Sequence, residues 1–405
     1  MNIVIVSTAL ATDGSASGVL IGNLIDALRG RGVGVSCLTV KRSLCDADVT
    51  EYRGAVLHHV NYIDGLRHGR MPVRDLVHTV RRAVRSRRVK KSAFDPLLVR
   101  RLSRKLRSLI ADADAVIAVC SCYDAAAAML RAVGDTDTAT ILFQFDPLSG
   151  NVSYRAKDPE MLAQYERRLV EGCDLVFAPP FIRRFIPDDI REKVQAAELP
   201  ALTEKRCAAH SEHKDEILCV YSGDFFSGIR EPEFMLELFA RFTDPRIKLC
   251  VLSGRERERF IPYENGALAG RLNVVGHVGE RECEKILDSA DVFVNVGNLV
   301  PNQLPSKLFS YMSRGGVILN IHTLPDCPTL DYTKDYPLAL NVLASLPVTD
   351  ESAHDVERWI LTCLDERVPF ETVRRTFGRC TPEYVADEIL SAISRLREQD
   401  TEVTR

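Results

Sequence analysis

The 405-residue chain is 46% apolar and 27% charged, ordinary proportions for a folded globular protein, and no apolar run nears the roughly 20 residues that cross a bilayer. At about 100 to 200 residues per domain, this length predicts two domains. The net charge of −3 conceals an asymmetry, because residues 67–107 hold fifteen Lys or Arg against Asp75 and Asp95; subtracting that local +13 leaves −16 for the rest.

The start, "MNIVIVSTAL", has no basic region before it and runs into a polar loop, so it reads as a first strand of a cytosolic chain and not as a signal peptide. In that loop, "STALATDGSASGVLIGNL", Gly14 and Gly18 precede a helix over 18–30 with Val19, Leu20, Leu24, Ile25 and Leu28 on one face. Small residues there let a backbone approach an anionic group, so the loop is an acceptor-side candidate; the spacing is neither G-x-G-x-x-G nor a P-loop. Further strands are predicted at 33–40, 55–60, 115–120, 139–145 and 174–179.

The basic stretch 67–107 falls among them and reads largely helical, with Leu76, Val77, Val80 and Val84 on one face and Arg81, Arg82, Arg85 and Arg88 outside it. Such a segment implies an anionic partner. Phe94 is its only aromatic residue, which argues against a stacking surface for single-stranded nucleic acid and leaves an anionic membrane surface as the expected partner. The acids at 112–114, "DAD", sit just before a strand, where polar residues end a helix, and predict no metal. Asp146, in "FQFDPLSGN" at a strand end, is a candidate for orienting an acceptor hydroxyl or acting as a base; a turn-capping aspartate before Pro147 is the plainer reading.

A polar, irregular stretch at 200–215 marks the expected boundary, giving an N-terminal domain over 1–205 and a C-terminal domain over 206–380. Strands are predicted at 216–222, 247–253, 272–278, 291–297 and 316–321, and a closing helix over 381–405, opened by Thr381 and Pro382, is expected to cross back to the first domain. Alternating strands and helices in both halves predict an α/β protein of two doubly wound, Rossmann-like domains facing across a cleft, with ligands beyond the carboxyl ends of the strands. Of twelve cysteines, most lie in apolar segments and no C-x-x-C occurs, which predicts buried reduced thiols and neither a zinc site nor a disulfide framework.

Two motifs in the second half carry chemistry. In "CVYSGDFFSGIREPEFMLELF" (219–239), a strand and a glycine loop with Gly223 lead to Arg230, two residues before a helix-starting Pro232; a planar guanidinium there suits a diphosphate. In "VPNQLPSKLFSYMSRGGVIL" (300–319), Leu304 and Pro305 lead into a helix beginning near Ser306, and Lys307 sits in its first turn. A cation opposing the helix dipole is the kind of local conflict found at functional sites, resolved by a bound anion. Leu308, Phe309 and Met312 point to the core, and Gly315 and Gly316 end the helix and allow close packing.

These runs, with "SADVFVNVG" and "VVGHV" (274–278), resemble the donor-binding domain of GT-B glycosyltransferases that use nucleotide sugars; the likeness is specific over 216–322 and looser in the first half. The resemblance implies that Arg230 and Lys307 hold the donor diphosphate, that backbone at His277 and Val278 receives the base, and that Gly223 and Leu304 to Ser306 lie beside phosphates and sugar. The family often carries a ribose-binding glutamate where Ser310 stands here, and another acid where Asn302 stands. The implied activity is transfer of a sugar, with retention, from a nucleotide-sugar donor to a glycan or polyprenyl-diphosphate-linked acceptor. A UDP-sugar is favoured as substrate, with neither metal nor further cofactor. Rival readings are a nucleotide-sugar epimerase, a non-catalytic GT-B-like partner subunit, and a nucleic-acid-binding protein favoured only by the basic stretch.

Overall fold

A computed structural model of the chain describes all residues except 12–14, 64–72, 74, 78, 81–93, 121–122, 135, 150, 152–157, 206–214 and 404–405. It divides into two compact units, one formed by Met1–Pro200 with Pro382–Arg405 and the other by Ala201–Thr381.

The first unit holds eight strands: β1 (Asn2–Val6), β2 (Gly34–Val40), β3 (Val49–Tyr52), β4 (Ala55–Val60), β5 (Ala115–Cys120), β6 (Ala139–Gln144), β7 (Leu175–Ala178) and β8 (Val194–Ala196). They line up as β3-β4-β2-β1-β5-β6-β7-β8, and every pairing is parallel except β3 with β4. Every residue of β5 and β6 is buried, which is why these strands read as unbroken apolar runs: a parallel sheet is covered on both faces. Helices α1 (Ala16–Gly30), α2 (Pro96–Arg107), α3 (Asp124–Val133) and α4 (Pro159–Gly172) belong to the same unit. Asp95 caps α2 by accepting from the amides of Leu97 and Leu98.

The second unit holds β9 (Ile217–Ser222), β10 (Ile247–Leu252), β11 (Leu272–Val274), β12 (Val292–Val296), β13 (Val317–His322) and β14 (Ala339–Leu343), ordered β11-β10-β9-β12-β13-β14 and parallel throughout. Its helices include α5 (Glu233–Ala240), α6 (Glu280–Asp288), α7 (Lys307–Ser313), α8 (Asp350–Cys363) and α9 (Phe370–Phe377). The last helix, α10 (Pro382–Val403), returns to the first unit, where Asp387 pairs with Arg31 at the end of α1 and Arg397 with Asp114.

The main departures from the sequence reading are at edges. Strands β3, β8 and β14 were not expected: the first and last lie at sheet edges and are partly exposed, and β8 spans three residues. The strand expected over 272–278 stops at Val274, since Gly276 takes φ +82° and turns the chain out of the ladder.

Candidate functional site

The order of the second sheet singles out one place. From β9 the chain goes outward through β10 and β11, then returns to the other side of β9 for β12 to β14, so the crossover loops diverge at the carboxyl ends of β9 and β12. Such a switch point leaves a crevice between diverging loops, the usual ligand position in open parallel sheets. Gly223, Arg230, His277, Val278 and the 304–307 segment all follow the carboxyl ends of β9, β11 or β12.

Arg230 lies on a tight turn after β9. Phe226 and Arg230 exchange backbone hydrogen bonds, Phe226 N to Arg230 O at 3.1 Å and Arg230 N to Phe226 O at 2.9 Å. The half-buried guanidinium donates to Asn298 Oδ1 through Nε (3.0 Å) and Nη2 (2.8 Å), and through Nη1 to the Tyr221 hydroxyl (3.3 Å). Asn298 in turn donates to Gln303 O (3.1 Å), so the loop leading to α7 is tied to the arginine. Burial pushes the Tyr221 hydroxyl up in pKa while the adjacent Arg230 pulls the other way, and the phenol stacks on Phe225 with ring centres 4.4 Å apart. Gly223 has φ +154°, and a Cβ there would come within 3.3 Å of both the Arg230 Nη1 and the Tyr221 hydroxyl, so a side chain would crowd the guanidinium.

Lys307 opens α7 beyond β12. Its Nζ lies 3.9 Å from Cys283 Sγ on α6, and that thiol lies 3.5 Å from Ser222 Oγ, the last residue of β9. The Ser222 amide donates to the Tyr311 hydroxyl on α7 at 3.0 Å, and Tyr311 stacks on Phe293 of β12 at 4.9 Å. Both cations therefore reach the end of one strand, Arg230 through Tyr221 and Lys307 through Cys283 and Ser222. Ser306 makes no side-chain capping bond to α7. Leu308, Phe309 and Met312 are fully buried, as the sequence led us to expect. Gly315 takes φ +68°, and a Cβ on Gly316 would lie 2.5 Å from the Phe293 ring, so both glycines serve helix end and close packing.

His277 is exposed and Val278 half-buried. The His277 Cβ would lie 3.0 Å from a Cβ at Gly254, whose amide donates to Asp224 Oδ1 at 2.9 Å, so loops after β9, β10 and β11 meet there. Leu304 and Pro305 precede α7, and Pro305 O accepts from Leu308 N (3.1 Å). Ser310 is engaged internally: its hydroxyl accepts from Arg314 Nη1 at 2.6 Å. The Arg314 side chain is 0% exposed and also meets Glu284 (2.7 Å) and Asp288 (3.0 Å) of α6, while Glu284 pairs with Lys205 (3.1 Å). Tyr221, Asn298, Cys283 and Arg314 were not singled out from sequence; Asn298 had a signal, a polar residue directly after an apolar strand.

In the first unit, Asp146 follows β6, its carbonyl accepting from the Tyr123 hydroxyl at 2.7 Å. The same loop is held by the buried Glu166 of α4, whose carboxylate accepts from the amides of Leu148 (3.1 Å) and Ser149 (3.2 Å). Gly18 is buried in the first turn of α1 and donates to the capping Ser15 hydroxyl at 3.0 Å; Gly14 lies outside the described residues. Of the basic stretch, Arg81, Arg82, Val84, Arg85 and Arg88 lie outside the described residues, whereas Leu76, Val77 and Val80 are helical and exposed to solvent. Asp114 of the "DAD" run accepts from Arg397 and from the Asn2 amide, which hold its carboxyl below the usual range.

No protein-family model and no curated protein matches the chain. Solved structures do. Sucrose-phosphate synthase from Thermosynechococcus elongatus superposes with TM-score 0.70 at 14% identity, over 98% of this chain and 100% of the other. The Anabaena protein HepE, solved with UDP and glucose, gives 0.58 at 8% identity over 100% and 99%. A putative UDP-N-acetylglucosamine 2-epimerase from Listeria monocytogenes gives 0.57 at 11% over 98% and 97%. Likeness at such identities establishes architecture: the chain has the GT-B fold of two Rossmann-like domains.

Proposed function

We propose that the chain is a glycosyltransferase moving a sugar from a nucleoside-diphosphate donor to a glycan or polyprenyl-diphosphate-linked acceptor, in cell-surface polysaccharide or glycoconjugate assembly on the cytoplasmic side. The observation that carries this reading is the approach of Arg230 and Lys307 to the end of β9 at the switch point of the second sheet. Two cations fixed where a leaving diphosphate gains negative charge stabilise the transition state more than the ground state. A guanidinium fork takes two phosphoryl oxygens, the ammonium supplies a point charge, and neither metal nor further cofactor is needed.

With retention, the anomeric carbon–oxygen bond to the diphosphate breaks as the acceptor oxygen attacks from the same face, and the departing phosphate oxygen takes the acceptor's proton. Asp146 orients the acceptor hydroxyl, or takes its proton if the reaction inverts. Backbone at His277 and Val278 receives the base; Gly223, Leu304, Pro305 and Ser306 border phosphates and sugar, Ser310 lies toward the ribose, and the Gly14–Gly18 loop serves the acceptor. UDP is favoured, HepE having been solved with UDP and glucose. The test is to supply UDP-, GDP-, ADP- and TDP-sugars with and without polyprenyl-diphosphate-linked saccharides and to follow nucleoside diphosphate release. Acceptor-dependent release supports transfer; a changed sugar still on its nucleotide identifies an epimerase, and inertness toward all donors favours a non-catalytic partner.

A second part of the reading concerns the basic stretch. Val73, Leu76, Val77 and Val80 are 77%, 51%, 43% and 53% exposed, while Asp75 is 1% exposed and accepts from Leu44 N. This helical stretch thus turns an apolar stripe outward and an acid inward, within a segment of local charge +13. No helix among the described residues is long and apolar enough to cross a membrane. A stripe of that kind seats in an anionic bilayer surface, aided by about 1 kcal/mol per cation. Cosedimentation with phosphatidylglycerol vesicles should fall in high salt and with Leu76→Ser/Val80→Ser; indifference to both defeats this part.

A further inference from the structure

The base of the turn that carries Arg230 is tied to the loop after β12 by the Leu299 amide, which donates to Ile229 O at 2.7 Å, whereas its tip is held through two carboxylates that share one arginine. The tip consists of Ser227 and Gly228, the latter at φ +74°. The Ser227 amide donates to Glu256 Oε1 at 2.8 Å, and the Gly228 amide to Glu231 Oε1 at 2.6 Å. Each carboxylate uses its other oxygen on the same partner: Glu256 Oε2 meets Arg259 Nη1 at 2.5 Å, and Glu231 Oε2 meets Arg259 Nη2. Arg259 also donates through Nε to Glu233 Oε1 at 2.7 Å, at the start of α5. Three acids thus converge on one guanidinium, and two of them continue into the tip amides.

Charge makes the arrangement informative. Three carboxylates beside an arginine meant for a diphosphate oppose an anionic ligand unless they are neutralised, and Arg259 is the cation that meets all three. Glu231 is held below the ordinary carboxylate range: burial opposes this, but the Gly228 amide and Arg259 outweigh it. Glu256 sits at φ +54°, rare for a residue with a side chain, so its backbone is held in a costly conformation that aims its carboxylate between Ser227 and Arg259.

We infer that Arg259 is a positioning residue for diphosphate binding, acting through Glu231 and Glu256 to hold the Arg230 turn while cancelling their charge. This rests on the donor-site reading of Arg230, and the experiment separates the two. In the full chain, Arg259→Gln and the milder Arg259→Lys are titrated calorimetrically with UDP, GDP, ADP and TDP, alongside Arg230→Ala and the double variant Arg230→Ala/Arg259→Gln. Amide exchange across 226–230 is followed without nucleotide. For the nucleotide that wild type binds, Arg259→Gln should weaken affinity on the order of tenfold, about 1.4 kcal/mol. The double variant should bind no more weakly than Arg230→Ala alone, because the effect runs through Arg230. The Ser227 and Gly228 amides should exchange faster in Arg259→Gln. Wild-type affinity with only a lowered melting temperature, or penalties that add in the double variant, overturns the inference. If wild type binds none of the four, the donor reading fails, and the exchange arm decides the clamp: unchanged rates at 227 and 228 overturn it.

Discussion

Replacing Arg314 by Met tests how α7, which carries Lys307, is anchored. The guanidinium donates to Ser310 O (3.1 Å), Ser310 Oγ (2.6 Å), Glu284 Oε2 (2.7 Å) and Asp288 Oδ1 (3.1 Å), and its side chain is wholly inaccessible. Removing one member of a fully buried ion pair costs roughly 3–5 kcal/mol, since it strands the other charge. Here Glu284 and Asp288 are 31% and 39% exposed and can rehydrate, and Glu284 keeps Lys205. The loss is therefore that of the charge-assisted hydrogen bonds, about 2–3 kcal/mol. Urea unfolding followed by circular dichroism should show it as a lowered midpoint with an unchanged slope; Arg314→Lys, which keeps charge but loses the fork, should fall between. The pH dependence adds a sign. Burial pushes the Glu284 carboxyl up, but Arg314 and Lys205 outweigh it and hold it below the usual range. Its contribution is then present above the ordinary value near ~4.3 and lost as pH falls through the lower folded value. The gap between wild type and Arg314→Met should narrow below about pH 4. Equal stability at pH 7, or a gap that widens in acid, refutes the reasoning.

Other outcomes follow from the same kind of contact. Gly316→Ala, with its Cβ 2.5 Å from the Phe293 ring, should cost about 1–3 kcal/mol by urea unfolding. Gly315→Ala should cost more, since it adds φ +68° and a clash with the Val368 carbonyl. Asn295, Asn320 and Asn341 stand in register on β12, β13 and β14, joined side chain to side chain at 2.7 Å in each step. Asn320→Leu leaves the buried Asn295 amide without this acceptor, while Asn341 Oδ1 keeps the Thr333 hydroxyl at 2.6 Å, and should lower stability by about 1–3 kcal/mol, whereas Ile321→Val beside it should cost roughly 1 kcal/mol. Asp114→Asn should cost no more than about 1 kcal/mol at pH 7, being partly exposed, and nothing at low pH, because the Arg397 bond and the Asn2 amide depress its folded pKa.

What could be read from sequence follows burial. Strands covered on both faces, such as "AVIAVC" and "GVILNI", announce themselves as apolar runs, and their predicted bounds fall within a residue of β5 and β13. Edge strands do not: "VTEY" (49–52) is mostly exposed, and its pairing with β4 is a matter of backbone geometry that no side-chain pattern records. Arg230 and Lys307 were legible because each is a cation set against a strand end or helix dipole. Arg259 was not, since it is one of three arginines in "RERER" and looks like a solvated run until the fold turns three acids onto it. Arg314, at the end of α7, reads as an ordinary helix-terminal cation; only the packing of α6 makes it buried. Periodicity gave an apolar face of Leu76, Val77, Val80 and Val84, but not that the first three face outward, because direction depends on what the rest of the chain offers to cover them.

The measurement that bears most directly on the central claim is the thermal stability of the full chain against UDP, GDP, ADP and TDP, repeated with Lys307→Ala. A nucleotide at about 100 times its dissociation constant adds about 2.7 kcal/mol. A clear upward shift is expected with one nucleotide, UDP foremost, that disappears in the variant while the variant's own unfolding without nucleotide stays near wild type. No shift with any of the four, or a shift that survives the loss of Lys307 undiminished, contradicts the claim.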